Sequence, residues 1–402
     1  MKILHTADWH IGKVLHKHSL ATELGLFFDW MIGTIEEEDI DLLLVSGDIF
    51  DLANPTIKDK EQYYDIMLKL YHSGCKVIIT GGNHDSVGEL NAPKEILSAI
   101  NIQVVGGATQ DISDELIPVK NQKGEVELVV AAVPFLRDRD LRSKDDTTKY
   151  DSRVEAIREG IKNHYAQLAQ ISEEKYPNIP AFAMGHLYAS GATGSESERE
   201  IHVGNQASVK SSIFPQHFKY VALGHIHKPQ MVDINPSIQY SGSPIALSFS
   251  EKEDEKKVLI IETTEGKVAE IRDIFVPKHR ELKKISGTLE EVEQMLRSYK
   301  PNHRLASFVE LEVLESEFSA MVLAKVEELV LSYNETESFK ILKHKTIFEN
   351  KQLDTADLFT EGTSIEELKP IDVFRKRLDQ DALDESSRKK VEEAFIELLE
   401  SL

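Results

Sequence analysis

Five short runs in the first 230 residues end in residues able to hold a metal: ILHTADWH (Asp8, His10), LLLVSGDIFD (Asp48), VIITGGNHD (Asn83, His84, Asp85), FAMGHL (His186) and VALGHIH (His225, His227). Each is a strand-like apolar stretch that stops at a glycine or polar turn. Such a strand projects its last side chains from one edge of a sheet, where ligand sites of open α/β sheets gather. Bringing the five ends together collects two aspartates, an asparagine and four histidines, with the His84 imidazole beside them. That mix of oxygen and imidazole ligands suits two divalent ions held close together. The chemistry it predicts is metal-dependent hydrolysis of phosphate esters.

Two neighbouring ions need a shared ligand, and a carboxylate serves best because it carries charge on two oxygens. Asp48, closing the most apolar strand, is the natural bridge. Asp8 and His10 lie two apart, so on one strand they point to the same side and serve one ion, which His227 completes. Asn83 offers a carbonyl oxygen to the second ion, which His186 and His225 complete. His84, next to Asn83, is placed to protonate the departing oxygen or stabilise charge on the phosphate. A lone histidine is ordinarily a satisfied structural residue; five matches in order, each at a strand end, make the set a site.

Other residues read more plainly. Asp85 is a loop cap rather than an orienting partner of His84, Asp51 a turn or supporting carboxylate, and His5 a core residue. Lys13, His16 and His18 follow the first site loop and Arg137, Arg139 and Arg142 lie in PFLRDRDLR; exposed loop positions are the ordinary reading of all six.

At 402 residues the chain exceeds what one core usually supports, so two or three domains are expected. Its hydrophobic content of 41% and charged content of 29% are those of a globular protein. Cys75 stands alone, which excludes an intrachain disulfide and fits a reducing compartment. Met1 and Lys2 run straight into a ligand-bearing strand, no signal peptide is expected, and no apolar run is long enough to span a membrane. The chain is therefore expected in the cytoplasm. A net charge of -22 repels DNA at long range. A nucleic-acid substrate thus requires metal ions or a partner protein to supply the grip.

These side chains need strands and helices to position them. Residues 1 to about 275 alternate strand-like runs with helical patterns, which predicts a two-sheet α/β sandwich. Lys60 to His72 places Tyr64, Met67, Leu68 and Tyr71 at helical spacing, and Gly74 stops that helix before a strand over Lys76 to Thr80. Residues 153–170 form a further helix. The run EKEDEKK, 251–257, has the look of a hairpin tip. A hydrolase domain over 1–276 is thus followed, after Pro277, by a small α+β module over 277–346. Its predicted elements are strands Glu281 to Ile285, Ala306 to Leu314 and Ser338 to His344, with helices Leu289 to Tyr299 and Phe318 to Leu331. A linker over 347–370 and a helix–loop–helix over 371–402 complete the chain, the last helix carrying Val391, Phe395, Leu398 and Leu399 on one stripe.

The order DxH, GDxxD, GNHD, GH, GHxH resembles the calcineurin-like metallophosphoesterase superfamily over residues 1–230. The strings HTADWHIG, GDIFDLANP, GHIHKPQ and YSGSPIALSF resemble its DNA-repair nucleases, which work with a coiled-coil ATPase. The resemblance implies two Mn²⁺ ions, Mg²⁺ being an alternative. One is held by Asp8, His10, Asp48 and His227, the other by Asp48, Asn83, His186 and His225, with His84 catalytic. It further implies a homodimer through the nuclease domain, DNA as substrate, double-strand exonuclease and single-strand endonuclease activity, a DNA-capping role for the module after Pro277 and ATPase docking by the terminal helices. Some relatives carry histidine where this chain has Asp51, so that position is left out of the catalytic set. Two other readings share part of the pattern. A phosphoesterase acting on a small phosphodiester or phosphoprotein has the same ligands but leaves the last third unexplained. A non-catalytic scaffold for the ATPase loses ligands, and here none is missing.

Overall fold

The computed structural model describes residues 1–121, 123–141, 150–195, 197–198, 208–264, 266–333 and 338–348, together with Phe374, Val391 and Phe395. It divides into two units, one comprising Met1–Lys284, Lys300–Glu310 and Asn334–Lys343, the other Ile285–Tyr299, Leu311–Tyr333 and the chain from His344.

The first unit contains two six-stranded sheets. One is ordered Lys267–Phe275, Lys257–Thr264, Lys2–Thr6, Leu42–Ser46, Lys76–Thr80, Ile102–Val105; the last four run parallel. The other is ordered Gln230–Val232, Asn235–Tyr240, Phe218–Gly224, Ala181–His186, Val126–Ala132, Leu116–Lys120, with its four central strands parallel. Every residue of Leu42–Ser46 is buried, as a parallel strand covered on both faces requires. Because side chains alternate along a strand, Leu42 and Leu44 pack between the sheets with Ile78, Phe182, Met184 and Ala222. Leu43 and Val45 face outward to meet helix residues Leu24, Phe27, Ile66 and Leu70. Helix Tyr150–Lys175 covers the other sheet through Ile157, Ile161, Tyr165 and Leu168. The predicted two-sheet α/β sandwich is therefore present, with helices on its outer faces.

Helix Ile57–Ser73 begins at a capping box, Thr56 Oγ1 accepting from Asp59 N while Asp59 accepts from Thr56 N, and ends at Gly74 in a left-handed turn, φ 74°. Its buried side is Tyr63, Ile66, Met67 and Leu70. Of the stripe read from the sequence only Met67 is buried; Tyr64, Leu68 and Tyr71 are about half exposed. Both stripes have helical spacing, and contact with the helix Ala21–Glu37 and the sheet selects the other one. The expected hairpin at EKEDEKK is also absent. The strand before it, Asn235–Tyr240, lies in one sheet and the strand after it, Lys257–Thr264, in the other, so the segment crosses between sheets.

In the second unit, helices Leu289–Ser298 and Ala320–Tyr333 bury Val292, Leu296, Val326 and Val330. Strands Leu282–Gly287, Ser307–Glu315 and Phe339–Phe348 form a sheet in that order, their residues divided between the two units. The last strand runs to Phe348, past the expected end at His344. That strand takes in Ile347 and Phe348, the first two residues of the linker expected over 347–370; the rest of that segment and the helix–loop–helix lie outside the described residues, apart from Phe374, Val391 and Phe395. These three are helical, and the rings of Phe374 and Phe395 stack 3.7 Å apart. No helix of the described residues is long and apolar enough to cross a membrane.

Candidate metal centre

The first strand ends at Thr6, so Asp8 and His10 are not on one strand as their spacing suggested. Both sit in the left-handed region, φ 53° and 47°, as does Asp48 at 50°; His225 has φ 101°. Side chains with a Cβ rarely adopt such angles, and clusters of them mark functional sites. Here hydrogen bonds over-determine the backbone: Asp8 N donates to Gly47 O and His10 N to Asp48 O, both at 3.0 Å. Trp9, between them, turns the opposite way. It is fully buried against Phe28 at 5.0 Å and anchors the loop in the core while its two neighbours face the site.

Gly82 is required by close approach, since a Cβ there would collide with the Asp48 carboxylate. The carboxylate stands between two histidines, its Oδ2 3.5 Å from His10 Nε2 and 3.4 Å from His186 Nε2. Asn83 Oδ1 lies 2.9 Å from His186 Nε2 and 3.2 Å from His225 Nδ1. Asp8, His10 and His227 turn ligand atoms into one space within 4.8 Å of each other, and so do Asp8, Asp48 and His186. All seven sequence-predicted metal residues thus meet where the strand ends of the two sheets abut. Ser46 Oγ donates across that junction to Ala222 O at 3.0 Å.

The protons of this cluster leave room for cations. His227 presents Nδ1 to Ser197 Oγ at 2.6 Å and to Glu251 Oε1 at 3.3 Å. His10 presents Nδ1 to the Asp51 carboxylate at 3.3 Å. A single proton on each ring, carried on Nδ1, would leave the two Nε2 lone pairs facing one another at 3.1 Å. His186 donates Nδ1–H to Ser46 O at 3.0 Å, so a neutral ring would set its Nε2 lone pair against the Asn83 carbonyl oxygen. Opposed acceptors repel unless a proton or metal ion stands among them. Asp8 Oδ2 and His225 Nε2 are also buried without a hydrogen-bond partner. Divalent cations fit this set of residues.

Without metal, protons take that place. Burial pushes Asp8 up to about 7, against the pull of His186 and His227. Burial also opposes ionisation of Asp48, but His186, His10 and His84 outweigh it and hold the carboxyl well below the usual range. Burial works against a proton on His186 as well, yet Asp48 and Asp8 raise it to about 9. His10 is lowered to about 4, burial exceeding the help of Asp51 and Asp48.

The remaining singled-out residues fall as follows. His84 N donates to Asp48 Oδ1 at 2.9 Å, and its Nδ1–H to Asp51 O at 2.7 Å, which directs Nε2 to within 4.0 Å of Asp48 Oδ2. Asp85 is a loop cap, accepting from Ile49 N, Phe50 N and Gly82 N at 2.8–3.1 Å. Asp51 supports His10 and pairs with Lys13 at 3.0 Å. His5 is a core residue bonded to the Tyr220 hydroxyl at 3.0 Å; burial lowers it to about 3. Arg137 Nη2 donates to Asp85 O, Arg139 is exposed, and Arg142 lies outside the described residues. Sequence reading missed Glu251 and Lys256, which lie behind His227.

A family model for calcineurin-like phosphoesterases matches residues 1–229, and one described as the type 5 capsule protein repressor C-terminal domain matches 278–382. Fold and match define a calcineurin-like phosphoesterase. Over 407 residues the chain is 28% identical to SbcD, a subunit of nuclease SbcCD, from Escherichia coli (strain K12), covering 100% of this chain and 98% of that one. It is 32% identical to SbcD of Rhodobacter capsulatus, over 69% of this chain and 70% of that one. It is 30% identical to SbcD of Bacillus subtilis (strain 168), over 71% and 72%. The chain belongs to the SbcD nuclease family.

Proposed function

We propose that the chain is a Mn²⁺-dependent DNA nuclease, a 3'-5' double-strand exonuclease and single-strand endonuclease that opens hairpins, acting with an SbcC-type coiled-coil ATPase in repair and recombination. The observation that carries the metal-dependent part is the convergence of buried ligand atoms, those of Asp8, His10 and His227 and those of Asp8, Asp48 and His186 each lying within 4.8 Å of one another. The end-to-end likeness to an SbcD nuclease supports the choice of DNA and of the ATPase. Asp8, His10, Asp48 and His227 would hold one ion, and Asp48, Asn83, His186 and His225 the other. Two such ions, when bound, polarise the phosphate and lower the pKa of attacking water.

The chain's own contribution is orientation and a proton. His84, with Nδ1–H committed to the Asp51 carbonyl, holds Nε2 4.0 Å from Asp48 Oδ2. Protonated there, it donates to the departing oxygen, an effect of about 10²–10⁴-fold. Residues 1–276 would carry this chemistry and 277–346 cap the DNA; a family-model match over 278–382 supports a separate module after residue 277. The helices after residue 370 would dock on the ATPase. A homodimer is supported by Ile57, Tyr64, Leu68 and Tyr71, which leave an exposed apolar face along one helix. A free Cys75 supports work in a reducing compartment, the cytoplasm.

The test is cleavage of plasmid and hairpin DNA with Mn²⁺ or Mg²⁺, with and without the ATPase, beside bis(p-nitrophenyl) phosphate. DNA cleavage favoured by Mn²⁺ is expected. Hydrolysis of the small diester alone, even with the ATPase present, would reassign the enzyme to small phosphodiesters.

A further inference from the structure

Glu251 is fully buried, and a carboxylate so placed needs charged and hydrogen-bonding partners to stay ionised. Its Oε2 pairs with Lys256 Nζ at 2.6 Å and accepts from Leu247 N at 3.2 Å. Its Oε1 accepts from the Ser197 hydroxyl and lies 3.3 Å from His227 Nδ1. Burial opposes ionisation, but His227 and Lys256 outweigh it and hold the group well below the usual carboxylate range.

Lys256 does more than neutralise this charge. Its Nζ donates to His227 O at 3.0 Å and to Ser243 Oγ at 3.0 Å. The main-chain N of His227 donates to Glu198 Oε1 at 2.9 Å. His227 is thus held at its nitrogen, its carbonyl and its ring Nδ1, all by side chains from other segments. The ring contact fixes the proton on Nδ1 and turns Nε2 toward His10.

We propose that Glu251, held by Lys256, is a positioning residue for His227, setting the tautomer and aim of its Nε2 as a ligand of one of the two metal ions. This rests on the dimetal reading above. The geometry is that of a carboxylate behind a ligating histidine, where loss of the outer partner lowers metal affinity about 10–100-fold. A buried ion pair serving only to close the turn before the strand Lys257–Thr264 would need neither the contact to Nδ1 nor the bond to His227 O.

The test is Mn²⁺ titration of the full chain and its Glu251→Gln variant by calorimetry and electron paramagnetic resonance, with the thermal midpoint of the metal-free proteins alongside. Wild type should take up two ions. The variant should keep one near wild-type affinity and weaken the other about 10–100-fold, so that a mononuclear six-line spectrum replaces the coupled signal at one equivalent. Since Glu251→Gln strands the Lys256 charge, the paired variant Glu251→Gln/Lys256→Met is measured too, with the same expectation. Two ions at wild-type affinity in either folded variant, or both weakened alike, would overturn the positioning role. Uptake of fewer than two ions by wild type would instead overturn the dimetal reading on which it stands.

Discussion

The two halves of the candidate centre are built from similar ligands but braced differently. Around His10 and His227 the supports are side-chain carboxylates: Asp51 beside one Nδ1, Glu251 with Ser197 beside the other. Around His186 and His225 the supports are a main-chain carbonyl and another candidate ligand: His186 Nδ1–H donates to Ser46 O, and His225 N donates to Asp8 Oδ1. The carboxylate-braced half draws extra negative charge onto its imidazoles and depends on residues from distant segments. The other half is fixed once the sheets pack. A single side-chain change can therefore weaken the first half selectively, whereas the second yields only to loss of a ligand itself.

Asp48→Ala removes the one side chain common to both halves and should erase the distinction. Loss of an outer partner lowers affinity about 10–100-fold, so loss of a shared ligand should exceed about 100-fold at both ions. Calorimetric Mn²⁺ titration reads this directly, and two tight equivalents in the variant would remove Asp48 from the bridging role.

His84→Gln should leave both halves loaded and slow the chemistry. Gln keeps the size and hydrogen bonding but cannot donate a proton at working pH, so plasmid nicking should fall about 10²-fold or more with metal content unchanged. Full turnover at full loading would rule His84 out as the acid.

Asp51→Asn sharpens the contrast between halves. It removes the charge behind His10 while keeping its shape, and one ion should weaken by about 10-fold while the other holds. Equal weakening of both, seen in the same titration, would mean that the halves are not separately braced.

Ser46→Ala is the smallest change. It deletes the Oγ bond to Ala222 O, but the carbonyl that braces His186 stays. Stability should drop by about 1 kcal/mol in denaturant unfolding with metal uptake intact. Altered uptake would show that the hydroxyl, not the main chain, supports this half.

What the sequence disclosed follows from how local each signal is. The five ligand runs were legible because each couples a buried strand to a polar turn within ten residues, and the two-sheet sandwich followed from their alternation. Asp8 and His10 converge for a different reason than their spacing suggested, since left-handed turns anchored by Trp9, not a shared strand face, aim them. The helix stripe through Tyr64, Leu68 and Tyr71 was ambiguous because spacing shows a face but not which neighbour covers it. Glu251 was hidden for the strongest reason: in a run as charged as EKEDEKK nothing local separates the buried carboxylate from the solvated ones. Only the crossing between sheets brings it behind His227.

Anomalous diffraction from a Mn²⁺-soaked crystal, recorded at the manganese edge, tests the central claim most directly. Two peaks about 3.5–4 Å apart are predicted, one among Asp8, His10 and His227, the other among Asn83, His186 and His225, with Asp48 reaching both. A single peak, or two peaks that do not share Asp48, would contradict the account.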